Sequence, residues 1–290
     1  MVTISGRPNV GKSTLLNALV GEKVAIVTNK PQTTRNRILA VLNRDETQMV
    51  FIDTPGYHLP RTRLGDYMVK VIRESVADVD AVILMVEPIP NVGVQESRLI
   101  EWIAGNGVPA VLVINKIDTV KKEELLAVID CYWAAHAWDA IVPISAQKGD
   151  GLAQLTEVLA GYALEGPQLF PDDMITDQPE RQIVAEIIRE KLLLCLQKEI
   201  PHGTAVEITK FSERDSGIID VEATIYVEKQ SHKGMVIGKE GAMLRQVGEL
   251  ARKDIERFMG TKVYLETWVK VKERWRDSAY QLRNFGYTSE

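Results

Sequence analysis

The chain has 290 residues, of which 45% are hydrophobic and 26% charged, so it is long enough to bury two ordinary hydrophobic cores. Its net charge of −5 divides into −6 before residue 180 and +1 from there on, so a search for a polyanion partner begins in the back half. Two isolated cysteines exclude a disulfide framework and a cysteine-based zinc site, and favour a reducing cytosol. No segment approaches the ~18 apolar residues of a membrane span, so we expect a soluble protein. Because the first predicted strand begins at once, we also expect a few native residues to be missing from this end.

The octet GRPNVGKS, residues 6–13, fits the pattern G-x-x-x-x-G-K-[ST] between a predicted strand and a predicted helix over 14–20. Its glycines let the backbone curl, so that successive N–H groups converge on one phosphate at the start of the helix. Lys12 is expected to reach the β- and γ-phosphates, and Ser13 to bind Mg²⁺. The predicted nucleotide contacts are Gly6, Arg7, Pro8, Asn9, Val10, Gly11, Lys12, Ser13 and Thr14. The alternative is a glycine-rich turn without a ligand.

A second motif follows a polar loop over 26–37 and a predicted strand pair, 38–42 and 48–52. The pair runs into the tetrad D-x-x-G, where a nucleotide triphosphatase needs a carboxylate near Mg²⁺ and a glycine N–H near the γ-phosphate. The predicted contacts here are Asp53, Thr54, Pro55 and Gly56.

Continuous apolar runs over 81–86 and 110–114, with a helical pattern over 94–104 between them, indicate a parallel sheet covered on both faces. The second run ends in N-K-x-D. The Asp118 carboxylate can accept from N1–H and the exocyclic amine of guanine, whereas adenine leaves the charge unpaired, which discriminates by ~10⁴-fold or more. Asn115 is expected to tie this loop to the phosphate loop, and the Lys116 stem to cover the base.

A predicted helix over 123–137 and a strand over 141–144 lead to Ser145 and Ala146, whose backbone N–H is expected to donate to guanine O6. Motifs in this order, at the ends of successive strands, predict an α/β P-loop GTPase domain over residues 1–165. We expect a mostly parallel sheet flanked by helices, with GTP or GDP and Mg²⁺ at its carboxyl edge.

The front half resembles a small translational-type GTPase, with 27–37 in place of switch I and 57–66 in place of switch II. By that resemblance Thr34, or failing it Thr33, completes the Mg²⁺ shell with Ser13 and Asp53. Loss of the γ-phosphate would release both loops. Four arginines lie in or near these loops, namely Arg35, Arg37, Arg61 and Arg63, and most of the four are expected to be solvated.

Two residues bear on the rate of hydrolysis. Tyr57 stands where Ras-like enzymes carry a water-orienting glutamine, and a phenol cannot make the same two-sided contact, so we expect slow hydrolysis unless it is helped. In related GTPases that lack this glutamine, the residue at the position of Asn9 ligates K⁺, and we hypothesise K⁺-assisted hydrolysis. The catalytic residues would be Lys12, Thr34, Gly56 and Asn9. Alternatively, Asn9 only bonds the loop backbone and Tyr57 only packs switch II.

Composition changes at Gly166, where three prolines in a segment without periodicity predict a linker over 166–176. We expect Asp177 to cap the next helix, with Glu180 completing a capping box. Strand patterns over 204–211, 218–228 and 263–271 and apolar helical stripes give the order α-β-β-α-α-β. The helical stripes comprise Ile183, Val184, Ile187, Ile188, Leu192 and Cys195 in the first helix, and Met243, Leu244, Val247, Leu250, Ala251, Ile255 and Phe258 in the last.

The tetrad Gly238 to Gly241, preceded by Val-Ile and set between two helices, spells G-x-x-G. Two positions without side chains and the adjacent helix-start N–H groups let a single-stranded sugar-phosphate backbone lie on the protein, which predicts an α+β type II KH domain over 177–272. The predicted RNA contacts are Lys233, Val236, Ile237, Gly238, Lys239, Glu240, Gly241, Arg245, Lys270 and Lys272. The alternative is a helix-helix turn without RNA.

The predicted tail, 273–290, continues a stretch in which four cations interleave with Trp268 and Trp275. This mixture is typical of a nucleic-acid surface. Domain docking explains the two aromatic residues almost as well.

A single G domain, a proline-bearing linker and a C-terminal KH domain together resemble the Era family of bacterial GTPases, over nearly the whole chain. The runs that carry the resemblance are DMITDQPERQIVAEIIREKLL from Asp173, MVIGKEG from Met235 and LETWVKVKERW from Leu265. The departures are the abbreviated N-terminus and Tyr57, where the family carries a variable hydrophobic residue.

The resemblance implies a GTP-hydrolysing protein that binds near the 3′ end of 16S ribosomal RNA and acts in assembly of the small (30S) subunit and maturation of that end. It implies a monomer whose nucleotide state governs the KH domain. Family members are cytoplasmic and associate peripherally with the inner membrane, for which this sequence shows no anchor. The alternatives are an RNA-binding GTP sensor with negligible turnover and another GTPase of the same group. Of the latter, a double-G-domain factor needs a second P-loop and a tRNA-modifying one needs a C-terminal cysteine motif, and this chain has neither.

Overall fold

The computed structural model of the chain describes residues 1–77, 79–197 and 200–287. Contacts within it divide the chain into two compact units. The first comprises Met1–Ala25, Thr34–Pro60 and Gly65–Asp177, and the second comprises Ile26–Thr33, Arg61–Leu64 and Gln178–Glu290.

The first unit is built on a sheet of strand order β2-β3-β1-β4-β5-β6, in which β2 alone runs antiparallel to its neighbour. Its strands are β1 (Val2–Gly6), β2 (Ile38–Arg44), β3 (Thr47–Asp53), β4 (Ala81–Val86), β5 (Ala110–Ile114) and β6 (Ala140–Pro143). The helices of this half of the chain are α1 (Lys12–Val20), α2 (Arg63–Ala77), α3 (Val94–Asn106), α4 (Lys122–Trp133) and α5 (Leu152–Ala160). The predicted α/β P-loop architecture, with its mostly parallel sheet, is confirmed.

Strands β1, β4 and β5 are buried at every position because apolar layers cover both faces of the sheet. Leu15 and Leu16 of α1 belong to one layer, and Ile72 and Leu99 to the other. The carboxyl ends of parallel strands meet at one edge of a sheet, which is where ligands of open α/β folds bind. The four sequence motifs follow β1, β3, β5 and β6, so they share that edge.

The predicted linker lies along β2, the edge strand of this sheet. The Gln48 side chain accepts from the N–H groups of Leu169 and Phe170, at 3.0 and 2.9 Å. The Val41 N–H donates to the Ile175 carbonyl at 2.8 Å. Residues 169–176 therefore form a strap that pairs with backbone and side-chain groups of β2 and of the start of β3.

The second unit has the predicted order α-β-β-α-α-β. Its main elements are α6 (Glu180–Cys195), β7 (Ala205–Glu213), β8 (Ile219–Val227), α7 (Gln230–Ile237), α8 (Ala242–Met259) and β9 (Val263–Val271), followed by α9 (Ala279–Asn284). Strand β8 lies in the middle of the sheet, antiparallel to β7 and parallel to β9. This is the predicted type II KH arrangement.

Two details of helix ends differ from prediction. The predicted capping box is wrong, because α6 begins after Pro179 in the N-cap position, with no side-chain cap. The predicted helix over 123–137 ends at Trp133, where the chain turns so that the Trp138 indole is buried and donates to the Tyr132 carbonyl at 2.8 Å.

The predicted apolar face of α8 is wider than the observed one. Leu250 and Phe258 of α8 are 38% and 37% exposed, because the narrower line of Val247, Ala251 and Ile255 makes the core contact. None of the described helices is long and apolar enough to cross a lipid bilayer.

Candidate nucleotide and RNA sites

The phosphate loop curls between β1 and α1, and Gly11 makes the curl possible. Its φ is +106°, and a Cβ there would lie 2.3 Å from Nδ2 of Asn115. Lys12 is buried under the loop and donates through Nζ to the carbonyls of Gly6 (3.2 Å) and Arg7 (2.9 Å). Burial lowers the pKa of Lys12 to about 8, against the opposing attraction of the nearby carboxylate of Asp53. The loop thus holds a partly desolvated cation where a phosphate would bind.

The three predicted Mg²⁺ ligands lie together. Ser13 Oγ donates to Oδ2 of Asp53 at 2.6 Å, and Thr34 Oγ1 lies 2.9 Å from Ser13 Oγ and 3.3 Å from the same carboxylate oxygen. Burial raises the pKa of Asp53, while Lys12, Ser13 and Thr34 act in the opposite direction. Thr33 instead bonds within its own loop, so Thr34 is the better placed of the two candidates.

The residues present fit Mg²⁺. Among the described residues, Oδ1 of Asp53 is buried without a hydrogen-bond partner, which is costly for a carboxylate oxygen. Hydroxyl and carboxylate oxygens are the ligands that this hard cation prefers. A cation at this point would satisfy the orphaned oxygen.

Asn115 joins the phosphate loop to the loop after β6. Its Nδ2 donates to the Val10 carbonyl at 2.7 Å, and its Oδ1 accepts from the Ala146 N–H at 2.9 Å. The N–H predicted to meet guanine O6 therefore bonds to Asn115 in this structure. One buried amide fixes the spacing between the phosphate end and the base end of the site.

The base end is arranged by two further side chains. The Ser145 hydroxyl donates to Oδ1 of Asp118 at 2.7 Å, which orients the carboxylate predicted to read guanine. Lys116 donates through Nζ to the Asn9 carbonyl at 2.8 Å and forms an ion pair with Glu87. The N-K-x-D residues are thus each tied either to the phosphate loop or to the Ser145 loop.

Sequence reasoning missed Glu96. This residue of α3 is 2% exposed and forms an ion pair with Arg7 of the phosphate loop. It is in phase with Leu99 and Ile103, so a carboxylate on the apolar face of a helix was the signal available. The Glu96 carboxylate therefore holds Arg7, at the start of the phosphate loop, although Glu96 is not part of the phosphate-loop motif.

Two residues near the predicted switches are packed. Tyr57 is 6% exposed, with its ring edge-on to Trp102 at 5.0 Å between centroids, as the packing alternative expects. Arg35 is 2% exposed and buried alongside Thr34, whereas Arg37, Arg61 and Arg63 are exposed, so solvation holds for most of the four arginines, as predicted. Asn9 is exposed and left-handed, with φ +66°.

In the second unit, the G-x-x-G turn separates α7 from α8. Gly238 has φ +73°, and a Cβ there would lie 2.7 Å from Cβ of Met243, so no side chain fits. Gly241 has φ +78° but faces open space. Lys239 and Glu240 between them are exposed. The turn therefore presents bare backbone, one cation and one carboxylate at the start of an 18-residue helix.

A groove of about 420 Å³ continues from the turn between α8 and β9. It is lined by two arginines, one carboxylate and five uncharged residues, namely Arg245, Arg252, Glu249, Gly241, Leu244, Gly248, Leu265 and Thr267. Gly248 lies seven residues after Gly241 and so on the same face of α8, and a glycine inside a helical pattern was the signal that sequence reasoning missed. An apolar floor with arginines beside it suits stacked bases and their phosphates.

The other predicted RNA contacts differ in accessibility. Lys239, Arg245 and Lys270 are exposed, and Lys233 and Ile237 are half-buried. Val236 is 0% exposed and packs in the domain core, and its contact with RNA stays a prediction.

Near the tail, Trp275 and Lys272 make contacts within the domain, whereas Trp268 is exposed. Trp275 is buried and donates to the Gly203 carbonyl at 2.9 Å, so it is structural. Lys272 holds its ammonium 4.9 Å from the centre of the Tyr226 ring. Trp268 is 57% exposed and remains open to a ligand.

Comparison with known proteins covers both units. A family model described as 50S ribosome-binding GTPase matches residues 1–116, and a KH domain model matches residues 199–276. The GTPase Era of Ruminiclostridium cellulolyticum is 50% identical over 286 residues, which is 99% of this chain and 96% of that protein. The GTPase Era of Clostridioides difficile is 50% identical over 291 residues, 100% of this chain and 98% of its own.

Two solved structures share the fold of the whole chain. An Era in complex with MgGDPNP and nucleotides 1506–1542 of 16S ribosomal RNA has a TM-score of 0.96 and 38% identity, covering 99% of this chain and 98% of that one. A variant of Aquifex aeolicus Era bound to GDP and AlF4− has a TM-score of 0.96 and 39% identity over the same shares. With half its residues identical to curated relatives along nearly its full length, the chain belongs to the Era family of GTPases.

Proposed function

We propose that this GTPase binds the 3′ region of 16S ribosomal RNA through its KH domain, and acts in assembly of the 30S subunit and maturation of the 16S rRNA 3′ end. The observation that carries the proposal is the match, along the whole chain, to an Era that holds MgGDPNP and nucleotides 1506–1542 together. The exposed G-x-x-G turn and its groove support it, because single-stranded RNA is bound by close approach to backbone and by stacking. Nucleotide state would control RNA binding through the switch loops.

The proposed domains are a G domain over 1–165, a linker over 166–176, a KH domain over 177–272 and a tail over 273–290, of which 288–290 lie outside the described residues. A monomer in the cytoplasm, with peripheral contact to the inner membrane, remains a prediction from the family resemblance.

For hydrolysis we assign the catalytic roles to Lys12, Thr34, Gly56 and Asn9. Lys12 would place its charge against the β- and γ-phosphates, and the Gly56 N–H would donate to the γ-phosphate. Thr34, which already contacts Ser13 and Asp53, would hold switch I at the metal. Bound Mg²⁺ supplies neutralisation of the charge that develops on the phosphate oxygens.

Replacing Na⁺ by K⁺ is expected to raise turnover by roughly tenfold or more, because Asn9 would place K⁺ against the developing charge while Tyr57 packs on Trp102. Asn9→Ala should lower the K⁺ rate to the Na⁺ rate, whereas Asn106→Ala, an exposed amide on α3, should leave it unchanged. Phosphate release at saturating GTP measures both. Equal wild-type turnover in the two salts would remove the K⁺ role.

Gly241→Asp is expected to weaken binding of an RNA of 16S nucleotides 1506–1542 by roughly tenfold or more, since a carboxylate in the open space beside the turn repels phosphate. Gly241→Asn is the matched control, because both residues tolerate a left-handed backbone and differ only in charge. Fluorescence anisotropy at fixed salt measures the affinities. Equal affinity of the two variants, or wild-type affinity no greater than for an unrelated RNA of the same length, contradicts the proposed RNA site.

A further inference from the structure

Residues 26–33 follow α1 and precede Thr34, yet their contacts place them in the second unit, where they lie against α6. Hydrogen bonds hold this loop to α6 and to the residue after it. They run from Val27 N–H to Oε1 of Glu190 (3.0 Å), from the Arg189 guanidinium to the Thr33 carbonyl, and from the Lys30 ammonium to the Leu196 carbonyl. The loop is therefore fastened near its beginning, its middle and its end.

The same contacts continue into the helix that follows the G-x-x-G turn. Oε2 of Glu190 accepts from Nζ of Lys191 at 2.7 Å, and Nζ of Lys191 also pairs with Asp254 of α8. Glu190 and Lys191 are 3% and 8% exposed. An unbroken run of polar contacts thus leads from the loop, through α6, to α8.

A contribution to folding stability is by itself a weak explanation for this run of buried polar contacts. Apolar residues of similar volume often stabilise a core as well as a buried ion pair does, because desolvation of the charges offsets their attraction. Burial lowers the pKa of Lys191, but its hydrogen bonds to Asp254 and Glu190 outweigh this and raise it overall, so the charges persist. A buried network with fixed partners specifies one arrangement of the elements it joins.

The end of the loop is one peptide bond from the nucleotide site. The Thr33 carbonyl is held by Arg189, which is 1% exposed and braced by Glu186 at 2.8 Å. The next residue, Thr34, bonds to Ser13 and Asp53. Consecutive Cα atoms are about 3.8 Å apart, so a displacement of Thr34 acts directly on a residue that α6 holds.

We propose that Arg189, Glu190 and Lys191 are positioning residues that transmit the nucleotide state, from Thr34 through residues 26–33, to the RNA affinity of α8. The inference rests on the proposed function, because it requires RNA binding that depends on the nucleotide. It assigns the coupling to a buried run of charges that lies outside both the GTP motifs and the G-x-x-G turn.

The test compares the affinity for an RNA of 16S nucleotides 1506–1542 in GDPNP and in GDP. Wild-type protein is expected to show a ratio of about fivefold or more, the lower end of ordinary allosteric coupling. Glu190→Gln keeps an acceptor for Val27 but removes the charge that pairs with Lys191, and the ratio should fall to within about twofold of one. Glu180→Gln, an exposed position on the same helix, is the matched control and should keep the wild-type ratio.

Lys30→Met removes the contact between the loop and the Leu196 carbonyl, which lies beside the run and not within it, so no buried charge is disturbed. The ratio should likewise fall to within about twofold of one. A merely structural role for α6 would lower RNA affinity equally in both nucleotides and leave the ratio intact. Coupling is reciprocal, so the GDPNP affinity of each variant should respond to RNA by the same reduced factor.

The outcomes separate the inference from the proposed function. Wild-type coupling that persists in folded Glu190→Gln and Lys30→Met overturns the inference and leaves the RNA-binding GTPase standing. Wild-type protein with equal RNA affinity in both nucleotides overturns nucleotide control, and the inference with it. Wild-type protein that does not bind this RNA overturns the proposed function itself.

Discussion

Asp118→Asn is expected to bind xanthosine nucleotides in preference to guanosine nucleotides, with a swing in relative affinity on the order of 10⁴-fold. The wild-type carboxylate is expected to accept from two donors on guanine, and the Ser145 hydroxyl holds it in place at 2.7 Å. An asparagine amide turns its NH₂ toward one of those donors. Xanthine carries a carbonyl where guanine has its amine, so the pair becomes complementary again.

Displacement of a fluorescent nucleotide by GDP and by XDP measures the swing. Asp130→Asn on α4 removes an exposed carboxylate elsewhere in the same unit and should leave guanine preference unchanged. Retained guanine preference in Asp118→Asn would refute the base-reading role.

Gly11→Ala is expected to lower GDP affinity by roughly 100-fold or more, because it disturbs both ends of the nucleotide site. The new Cβ would lie 2.3 Å from Nδ2 of Asn115 and push this side chain off the Val10 carbonyl. A lost buried hydrogen bond costs about 1–3 kcal/mol and falls on GDP binding, whereas the strain of a left-handed alanine, about 1–2 kcal/mol, lowers the free energy of unfolding.

Gly21→Ala is the matched control. Gly21 ends the helix that Gly11 begins, has φ +76° and has nothing within 4 Å of its would-be Cβ. Both variants should lose a few degrees of melting temperature through the same backbone strain, and isothermal titration with GDP should separate them. Equal GDP affinity in the two variants would mean that the Asn115 contact does not hold the site together.

The elements predicted most accurately from the sequence are those whose hydrophobic pattern does not depend on residues elsewhere in the chain. Residues 81–86, 110–114 and 263–271 form strands with the predicted bounds, because each apolar or alternating run stops where the strand stops. The sequence was also sufficient to predict that the nucleotide motifs lie together, since parallel strands bring their carboxyl ends to one edge of the sheet.

What escaped prediction depends on partners distant in sequence. Arg189, Glu190 and Lys191 look like a solvated face, yet α6 is covered around most of its circumference, and only tertiary contacts reveal that. Arg35 and Glu96 are charges whose burial is decided by neighbours far along the chain. The predicted apolar face of α8 is wider than the observed one, because hydrophobic periodicity shows which side of a helix faces the core but not how many residues on that side are buried.

The strap along β2 has a consequence for how the G domain can be isolated. An edge strand with unpaired N–H and C=O groups is a template for pairing with other chains, and proteins normally cover such edges. A fragment cut at residue 165, where composition first changes, would lose the Val41–Ile175 pairing and the Gln48 contacts and leave β2 open to self-association. A fragment that continues through Asp177 keeps residues 169–176 on β2. The segment that composition indicates to be a linker therefore also covers the edge of the preceding domain's sheet.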